Sequence, residues 1–292
     1  MSRFLAYDSA IDAEEIVLRH AVSDLQPHKD LVRNFLGVLM EPSLYPPLLD
    51  NLVGKVEQPP IPANWHADVP EWAAVLRAIE LSGPEFSILE LGSAWGCWMC
   101  NAGMAAKRSG RSVRLMGVEA VQEFVDLAKK HLEYNEFSQN EYTLYLGIAA
   151  AKSGHVFFPK KEAGAINFGL SPVYDPDKDL YERLLNSGTH DLIKMHPLSE
   201  ILSDVPRLDL LHIDIQGGEV VFLEENMPEI ARKVAYVFVG THSREIEGKI
   251  FENMLSNGFF LEIERPAMLT LSLKSNPVTR YDGVQAWRNS RF

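Results

Sequence analysis

The sequence predicts an α/β fold built on a doubly wound, mostly parallel sheet. Short apolar runs alternate with helical segments through the last two thirds of the chain, and a glycine turn follows the first of these runs. Acidic residues also stand at the ends of the first two runs, at Glu90 and Glu119. Alternating strands and helices form a parallel sheet with helices on both faces. Ligands of such sheets bind beyond the carboxyl ends of the strands, so we expect the site there.

Composition narrows the possible partners. The chain has 292 residues, of which 46% are hydrophobic, and a formal net charge of −12. A chain of this length folds without a disulfide or a metal. The negative charge disfavours nucleic acid and disfavours an anionic membrane bound through a basic patch. No apolar run approaches a membrane span and no signal-peptide core is present, so we expect a cytoplasmic protein with no membrane insertion. A homo-oligomer is compatible with these features.

The N-terminal part is predicted to be helical. Apolar positions recur at roughly helical spacing through residues 8–53, and prolines break this region into short pieces. The proline-rich segment Gln58–Pro62 is the best candidate for a linker. We therefore expect a helical extension over residues 1–64 and a cofactor-binding domain over residues 65–292. Trp65 and Trp72 follow the linker, and packing of the extension onto the core is the favoured interpretation of both.

The core elements follow in order after a helix predicted for Trp72–Leu81. The predicted strands are Ser87–Leu91, Val113–Val118, Thr143–Ile148, Leu208–Ile213, Val234–Val239, Phe259–Glu264 and Leu269–Lys274. The predicted helices are Trp98–Lys107, Gln122–Tyr134 and Arg244–Asn257. The short link between the last two strands predicts an antiparallel edge.

A long insertion separates the third and fourth predicted strands. It runs from Ala151 to Arg207, about sixty residues, which is far longer than an ordinary connection. Because it leaves the third strand at the carboxyl edge, it is well placed to cover a ligand there. Its segment Lys160–Asp177 is rich in glycine, proline and aromatic residues. We predict that the insertion, residues 151–207, forms a lid over the substrate site, and a surface excursion without such a role is the alternative.

The first two strand ends predict a nucleoside site. The first strand runs into Glu90-Leu-Gly92-Ser-Ala-Trp-Gly96, and the second strand ends at Glu119. Glycines let the backbone approach a ligand without a Cβ clash. A carboxylate at the end of the second strand can accept hydrogen bonds from both hydroxyls of a ribose.

The details of the turn favour S-adenosylmethionine over a dinucleotide. A dinucleotide fingerprint reads G-x-G-x-x-G, whereas this turn reads G-x-x-x-G and lacks the third glycine. Glu90 would repel a pyrophosphate but could lie near an ammonium group. S-adenosylmethionine carries an ammonium, a ribose and a sulfonium, and it has no phosphate. An NAD-linked oxidoreductase and a non-catalytic α/β binding protein remain the alternatives.

Two further strand ends suggest acid–base chemistry. Asp214 ends the fourth predicted strand and His242 ends the fifth, and neighbouring strand ends face the same crevice. An alkyl hydroxyl is a poor nucleophile, and the unperturbed pKa of histidine suits a general base. We therefore predict Asp214 and His242 as the catalytic residues. Two ligands on distant strands do not make a metal site, so none is predicted. Glu219 begins the next helix, where stabilisation of the helix dipole is a full alternative to a ligand contact.

The fourth strand also carries a family resemblance. Leu208-Asp-Leu-Leu-His212-Ile-Asp214-Ile-Gln216-Gly-Gly-Glu219 resembles the FkbM-type methyltransferase signature, apolar-K-x-D-x-E-G-x-E. The ELGSAWG turn, the sequence Val118-Glu-Ala120 and the sequence Gly147-Ile-Ala-Ala resemble the cofactor half of that family. The resemblance covers roughly residues 65–266 and does not cover residues 1–55. Two positions depart from the signature, because His212 replaces its lysine and Gln216 replaces an acid.

The resemblance implies a fold, a cofactor and a reaction. It implies a Rossmann-like, class I methyltransferase sheet that binds S-adenosylmethionine and methylates a hydroxyl oxygen of a small-molecule or glycan-type acceptor. N-methylation remains an alternative because the nucleophile is not identified. The expected cofactor contacts are Glu90, Gly92, Ser93, Ala94 and Gly96 around the methionine, Glu119 and Ala120 at the ribose, Gly147, Ile148 and Ala149 at the adenine, and Asp214. The expected acceptor contacts are Gln216, Glu219 and His242.

Overall fold

A computed structural model describes residues 6–45, 47–161 and 169–292. The helices are α1 (Ala13–His20), α2 (Val69–Glu80), α3 (Cys97–Arg108), α4 (Gln122–Tyr134), α5 (Lys178–Ser187), α6 (Leu198–Ile201), α7 (Glu219–Lys233) and α8 (Arg244–Ser256). The strands of the first half are β1 (Asp8–Ser9), β2 (Val32–Arg33), β3 (Leu39–Met40), β4 (Glu85–Leu91), β5 (Ser112–Glu119), β6 (Tyr142–Leu146) and β7 (Ile148–Ala150). The later strands are β8 (Gly154–Pro159), β9 (His190–Pro197), β10 (Leu210–Ile213), β11 (Tyr236–Thr241), β12 (Phe259–Arg265), β13 (Met268–Thr270), β14 (Val278–Tyr281) and β15 (Gly283–Asn289).

The central sheet confirms the predicted doubly wound architecture. Its eight strands lie in the order β1-β12-β15-β11-β10-β4-β5-β6. The chain runs outward from β4 through β5 to β6 and then continues on the other side through β10 and β11, all in parallel. The direction of winding therefore changes between β4 and β10. A crevice opens at such a point beyond the carboxyl ends of the strands.

The last strand of the sheet was not predicted from the sequence. β15 lies inside the sheet, antiparallel to both β11 and β12. The prediction that Leu269–Lys274 forms an antiparallel edge strand of the sheet was wrong. The strand found there, β13, pairs with β14 in a separate hairpin. The polar residues of β15 interrupt the apolar pattern that marks a strand in the sequence. Gln285 and Asn289 are buried. Hydrogen bonds compensate for their burial, since Gln285 Nε2 donates to Glu264 and Asn289 Nδ2 donates to the carbonyl oxygens of residues 231 and 234.

Among the described residues between 8 and 53, α1 is the one α-helix, and two short 3-10 turns follow at Pro42–Leu44 and Asp50–Leu52, so the prediction of helix throughout this region was wrong. The apolar residues between 32 and 40 pack into the core as a short hairpin, in which β2 pairs antiparallel with β3, and Val32, Leu36 and Val38 are fully buried. Asn34 holds this hairpin, because its side-chain oxygen accepts from two backbone N–H groups and its amide donates to Asn101 at 2.6 Å. Side-chain hydrogen bonds to the backbone thus replace helical ones.

The insertion folds as a small appendage of its own. In it β9 pairs with both β7 and β8, and α5 packs on β9. Residues 162–168 of the predicted lid lie outside the described residues. The segment that follows them returns towards the appendage, because Val173 N donates to Phe157 O at 2.8 Å. Within the described ranges, no helix combines the length and apolar character needed to cross a bilayer.

Candidate active site

A cavity of about 420 Å³ lies at the carboxyl edge of the sheet, where β4 and β10 diverge. This volume falls within the roughly 300–1,000 Å³ of small-molecule sites. Its walls include most of the predicted site residues, and Gly96, Glu219 and His242 lie outside its lining. The predicted residues that line it are Glu90, Gly92, Ser93, Ala94, Glu119, Ala120, Gly147, Ile148, Ala149, Asp214 and Gln216.

The glycine turn after β4 forms one wall. Gly92 has a φ of +72°, and a Cβ at this position would stand 2.0 Å from the carbonyl oxygen of Asp214. Only glycine therefore allows the turn to lie against the end of β10. Gly96 also has a φ of +72° and caps the N-terminus of α3. The buried hydroxyl of Ser93 has no protein partner among the described residues, so it is available to a ligand.

Glu90 anchors the first turn of α3. Its carboxylate is buried and accepts hydrogen bonds from Trp98 N at 3.1 Å and Met99 N at 2.9 Å. Burial raises the pKa of Glu90 to about 8, although these two N–H groups oppose the shift. A carboxylate at a helix N-terminus interacts favourably with the helix dipole. Glu90 therefore shapes the glycine turn as well as lining the cavity.

Glu119 joins the ends of the first two parallel strands. One oxygen accepts from Ala94 N and the other from Val121 N, both at 2.9 Å. Burial raises the pKa of Glu119, and the backbone hydrogen bonds oppose that rise. Each carboxylate oxygen has a second lone pair, so both can accept a further hydrogen bond. This carboxylate fits the two hydroxyls of a ribose.

Gly147 brings the insertion against the cavity. Its φ is +140°, and a Cβ here would lie 2.1 Å from the carbonyl oxygen of Lys194 on β9. Gly147 N also donates to Glu119 O at 2.8 Å. The residues that follow, Ile148 and Ala149, are half-buried and line the cavity. The end of β6, Glu119 and the insertion are thus packed together.

His242 lies between two carboxylates. Its Nε2 is 3.2 Å from Asp214 Oδ1, and its Nδ1 is 3.0 Å from Glu219 Oε1. Burial alone would lower the pKa of His242, but the two carboxylates outweigh burial and raise it to about 10. Burial likewise raises the pKa of Asp214, but the hydrogen bond and charge of His242 prevail and lower it. At neutral pH, His242 is therefore an imidazolium that contacts the side chains of Asp214 and Glu219.

Glu219 holds the loop between β10 and α7. It is fully buried, and its carboxylate accepts from Ile215 N at 3.1 Å and from Gly217 N at 3.0 and 3.1 Å. Gln216, between them, has a φ of +56° and donates through Nε2 to Asp214 Oδ1 at 3.0 Å. Glu219 therefore fixes the loop that presents Gln216 and Asp214 to the cavity.

Residues before the first core strand complete the wall, which the sequence did not indicate. Tyr45 and Leu48 line the cavity together with Trp65. Trp65 stacks on Trp95 of the glycine turn with ring centres 6.0 Å apart and planes 23° apart. Trp72 instead packs in the core, with its ring 4.9 Å from that of Phe35. Packing of the N-terminal extension onto the core, the favoured interpretation of both tryptophans, therefore describes Trp72. Trp65 also borders the cavity.

Comparison with known proteins identifies the family. No family model matches the chain. A protein of Jannaschia sp. (strain CCS1) with the name "Putative methyltransferase" is 38% identical over 259 residues, which are 89% of this chain and 92% of that protein. The chain belongs to this methyltransferase family. The methyl donor of the methyltransferase is S-adenosylmethionine.

Solved structures with a similar fold are more distant from the methyltransferase. The FkbM methyltransferase of Methylobacillus flagellatus KT has a TM-score of 0.46 at 13% identity and matches 75% of this chain and 54% of its own. The precorrin-6y C5,15-methyltransferase of Geobacter metallireducens GS-15 has a TM-score of 0.40 at 12% identity, over 74% and 86% of the two chains. TrmK of M. capricolum, in complex with S-adenosyl-homocysteine, has a TM-score of 0.38 at 9% identity, over 74% and 67%. These similarities are too low for the acceptor substrate of any of these enzymes to be inferred for this chain.

Proposed function

We propose that this methyltransferase methylates a hydroxyl oxygen of a small-molecule or saccharide-type acceptor, as an enzyme of the FkbM type. The observation that carries the proposal is the position of Asp214. Its side chain is 42% exposed, lines the cavity and holds a hydrogen-bond distance of 3.2 Å to His242. A proton acceptor thus stands on the same cavity wall as the glycine turn proposed to hold the donor.

The proposed donor contacts follow the cavity wall. Gly92, Ser93 and Ala94 would hold the methionine part, and Glu119 would accept hydrogen bonds from the ribose. The residues from Gly147 to Ala149 would border the adenine. When bound, S-adenosylmethionine supplies an electrophilic methyl group on a sulfonium. The residues of this chain then need to align the acceptor oxygen and remove its proton.

The electrostatics favour Asp214 as the proton acceptor. A histidine whose pKa is raised to about 10 already carries a proton at neutral pH and cannot accept another. The lowered pKa of Asp214 keeps that carboxylate ionised throughout the neutral range. We assign His242 as the residue that orients Asp214, and Glu219 as a residue that positions His242 and the adjoining loop. Gln216 stays the proposed contact to the acceptor.

The acceptor atom can be tested with a carbon-13-labelled methyl donor. Hydroxyl and amine acceptors of matched carbon skeleton would be offered separately, and the chemical shift of the transferred methyl identifies the atom that receives it. We expect a methyl group on oxygen. Labelled methyl on nitrogen alone would replace the proposal by N-methylation. Titrations with S-adenosylhomocysteine and NAD check the cofactor independently, because a non-catalytic protein could bind the former without turnover.

A further inference from the structure

The hairpin of β13 and β14 differs in composition from the rest of the protein. The whole chain carries 40 acidic residues in 292, yet the 14 residues from Met268 to Tyr281 contain none. They contain two basic residues instead, Lys274 and Arg280. This segment is therefore a local positive feature on a protein whose net charge is −12.

The same hairpin exposes apolar side chains. Leu271 is 75% exposed and Leu273 is fully exposed at the tip, while Val278 is 62% exposed on the returning strand. Soluble domains tolerate scattered apolar residues on the surface. This tip combines exposed leucines, which could enter the boundary of the acyl chains, with basic residues that attract anionic headgroups, and it contains no acid.

We propose that this hairpin docks the protein on an anionic bilayer surface, with Leu271 and Leu273 inserted and Lys274 and Arg280 at the lipid headgroups. The negative charge of the rest of the chain does not prevent this contact. The paired strands extend about 10 Å at 3.3 Å per residue, which is about one Debye length at physiological salt. Screening therefore reduces the repulsion between the body and the lipid when only the tip is in contact.

The hairpin is joined to the active site at its base. The Thr279 hydroxyl donates to the carbonyl oxygen of His242 at 2.9 Å. Docking would hold the strand end that carries His242 close to the bilayer, while the leucines at the tip stay free of the catalytic groups. Substitutions at the tip can thus separate membrane binding from the proposed chemistry.

Vesicle co-sedimentation tests the proposal. The full chain would be mixed with phosphatidylcholine vesicles that contain or lack phosphatidylglycerol. We expect binding that requires the anionic lipid. Binding should fall at least about tenfold in the double variant Leu271→Ser/Leu273→Ser, because the two leucines that would be buried in the bilayer are lost. Lys274→Glu should weaken binding and reduce its dependence on salt. Leu185→Ser, at a leucine that is 57% exposed on α5, is the matched control and should bind as the unaltered protein does.

Two readouts keep the outcomes distinct. Binding of S-adenosylhomocysteine should be equal in all variants, which shows that the fold and the cofactor site are intact. Absence of anionic vesicle binding by the unaltered chain would overturn the proposal, and so would equal binding by the double variant. A change from dimer to monomer on the tip substitutions, without vesicle binding, would show that the hairpin joins two copies instead.

Discussion

At the scale of single residues, Glu119 ties the two halves of the candidate cofactor site together. Its carboxylate receives one N–H from the glycine turn after β4 and one from the residue that precedes α4. A ligand that engages the remaining lone pairs would find an acceptor that is already oriented. Such preorganisation lowers the entropic cost of binding.

Replacing Glu119 should therefore weaken the binding of S-adenosylhomocysteine. Glu119→Ala removes charge-assisted hydrogen bonds, each worth roughly 1.5–3 kcal/mol, so we expect a loss of at least about tenfold in affinity by calorimetry. Glu133→Ala, at an exposed acid of α4, is the control. Thermal unfolding of both variants checks the fold. An unchanged affinity in folded Glu119→Ala would remove the ribose assignment.

The pair Asp214 and His242 should affect turnover more than cofactor binding. We expect Asp214→Asn and His242→Ala to lower the turnover rate by about 10²–10⁴-fold, far more than they lower the affinity for S-adenosylhomocysteine. Loss of activity with a chelator, restored by a divalent ion, would instead make them metal ligands. Asp214, Glu219 and His242 do offer ligand atoms within 4.8 Å of one another, but the imidazole contacts both carboxylates directly.

The pH dependence of turnover separates the two candidate bases. The lowered pKa of Asp214 predicts a rate that is flat across neutral pH and falls only in acid. A free histidine base would instead give a rate that rises through its ordinary pKa of about 6.5. Initial rates at saturating donor between pH 5.5 and 8.5 distinguish these profiles, and a rise centred near pH 6.5 would return the role of base to His242.

The sequence predicts the parts of the site that lie in contiguous motifs. Glu90, Gly92 and Glu119 stand at strand ends, where a short pattern specifies both position and chemistry. Tyr45 and Leu48 reach the cavity only through the irregular packing of the N-terminal region, so no local pattern marks them. Glu219 lies in a motif, but its burial and its two backbone partners follow from the turn that the loop makes in three dimensions.

At the scale of elements, the insertion is the part most able to respond to ligands. Leu170, Pro172 and Tyr174 line the cavity, and the Ser171 hydroxyl donates to the carbonyl oxygen of Gln216 at 3.0 Å. The described end of the predicted lid therefore touches the loop that carries Gln216, the proposed contact to the acceptor. Movement of either segment would alter that contact.

Ligand binding should protect the lid segment from hydrogen exchange. We expect slower exchange in part of Lys160–Asp177 when S-adenosylhomocysteine and an acceptor are both present, because closing lids exclude water. Peptides from α8, which does not line the cavity, serve as the internal reference. Protection confined to other elements would mean that the insertion does not close over the site.

Element prediction succeeded where the hydrophobic period was regular. The helix Gln122–Tyr134 was predicted with the bounds that α4 has in the structure, and β4 and β5 were placed within two residues. The N-terminal region failed because its apolar residues are dense without being periodic, and tertiary packing decides their backbone. β15 failed because its buried polar residues find partners only after β11 and β12 are in place.

At the scale of the whole molecule, buried ionisable groups should make stability depend on pH. Groups whose pKa is raised by folding bind protons more tightly in the folded state. Their contribution to the free energy of unfolding is therefore lost as the pH rises through their folded-state pKa. Histidines whose pKa is lowered act in the opposite sense, and their contribution is lost as pH falls from about 6.5 to about 4. The groups whose pKa is raised furthest are Glu57 at about 7, Glu71 and Glu90 at about 8, and His242 at about 10; the histidines whose pKa is lowered to about 4 are His66, His131 and His212.

Below pH 6.5, the groups with a raised pKa and the histidines with a lowered pKa change the free energy of unfolding in opposite directions. Above pH 6.5, only the groups with a raised pKa still titrate. We therefore expect the free energy of unfolding to fall between pH 6.5 and 9, as measured by denaturant titration in buffers of constant ionic strength. His242→Gln should reduce the slope most clearly towards pH 9, where the three glutamates have largely ionised while His242 still holds its proton. Thr270→Val, at an exposed position of the hairpin, should leave the slope unchanged. Stability that rises towards pH 9 would contradict the raised values.

The position of β15 has a consequence for the order in which the molecule can be built. Its neighbours β11 and β12 are synthesised before it, and they have no contact with each other in the sheet except through this strand. A nascent chain that has not reached residue 283 therefore holds two apolar strands with unpaired edges, one on each side of an open slot. Such edges are templates for pairing with other chains. During translation, the greatest exposure to misassembly falls between the emergence of β11 and that of β15, after the cofactor half of the sheet has been made.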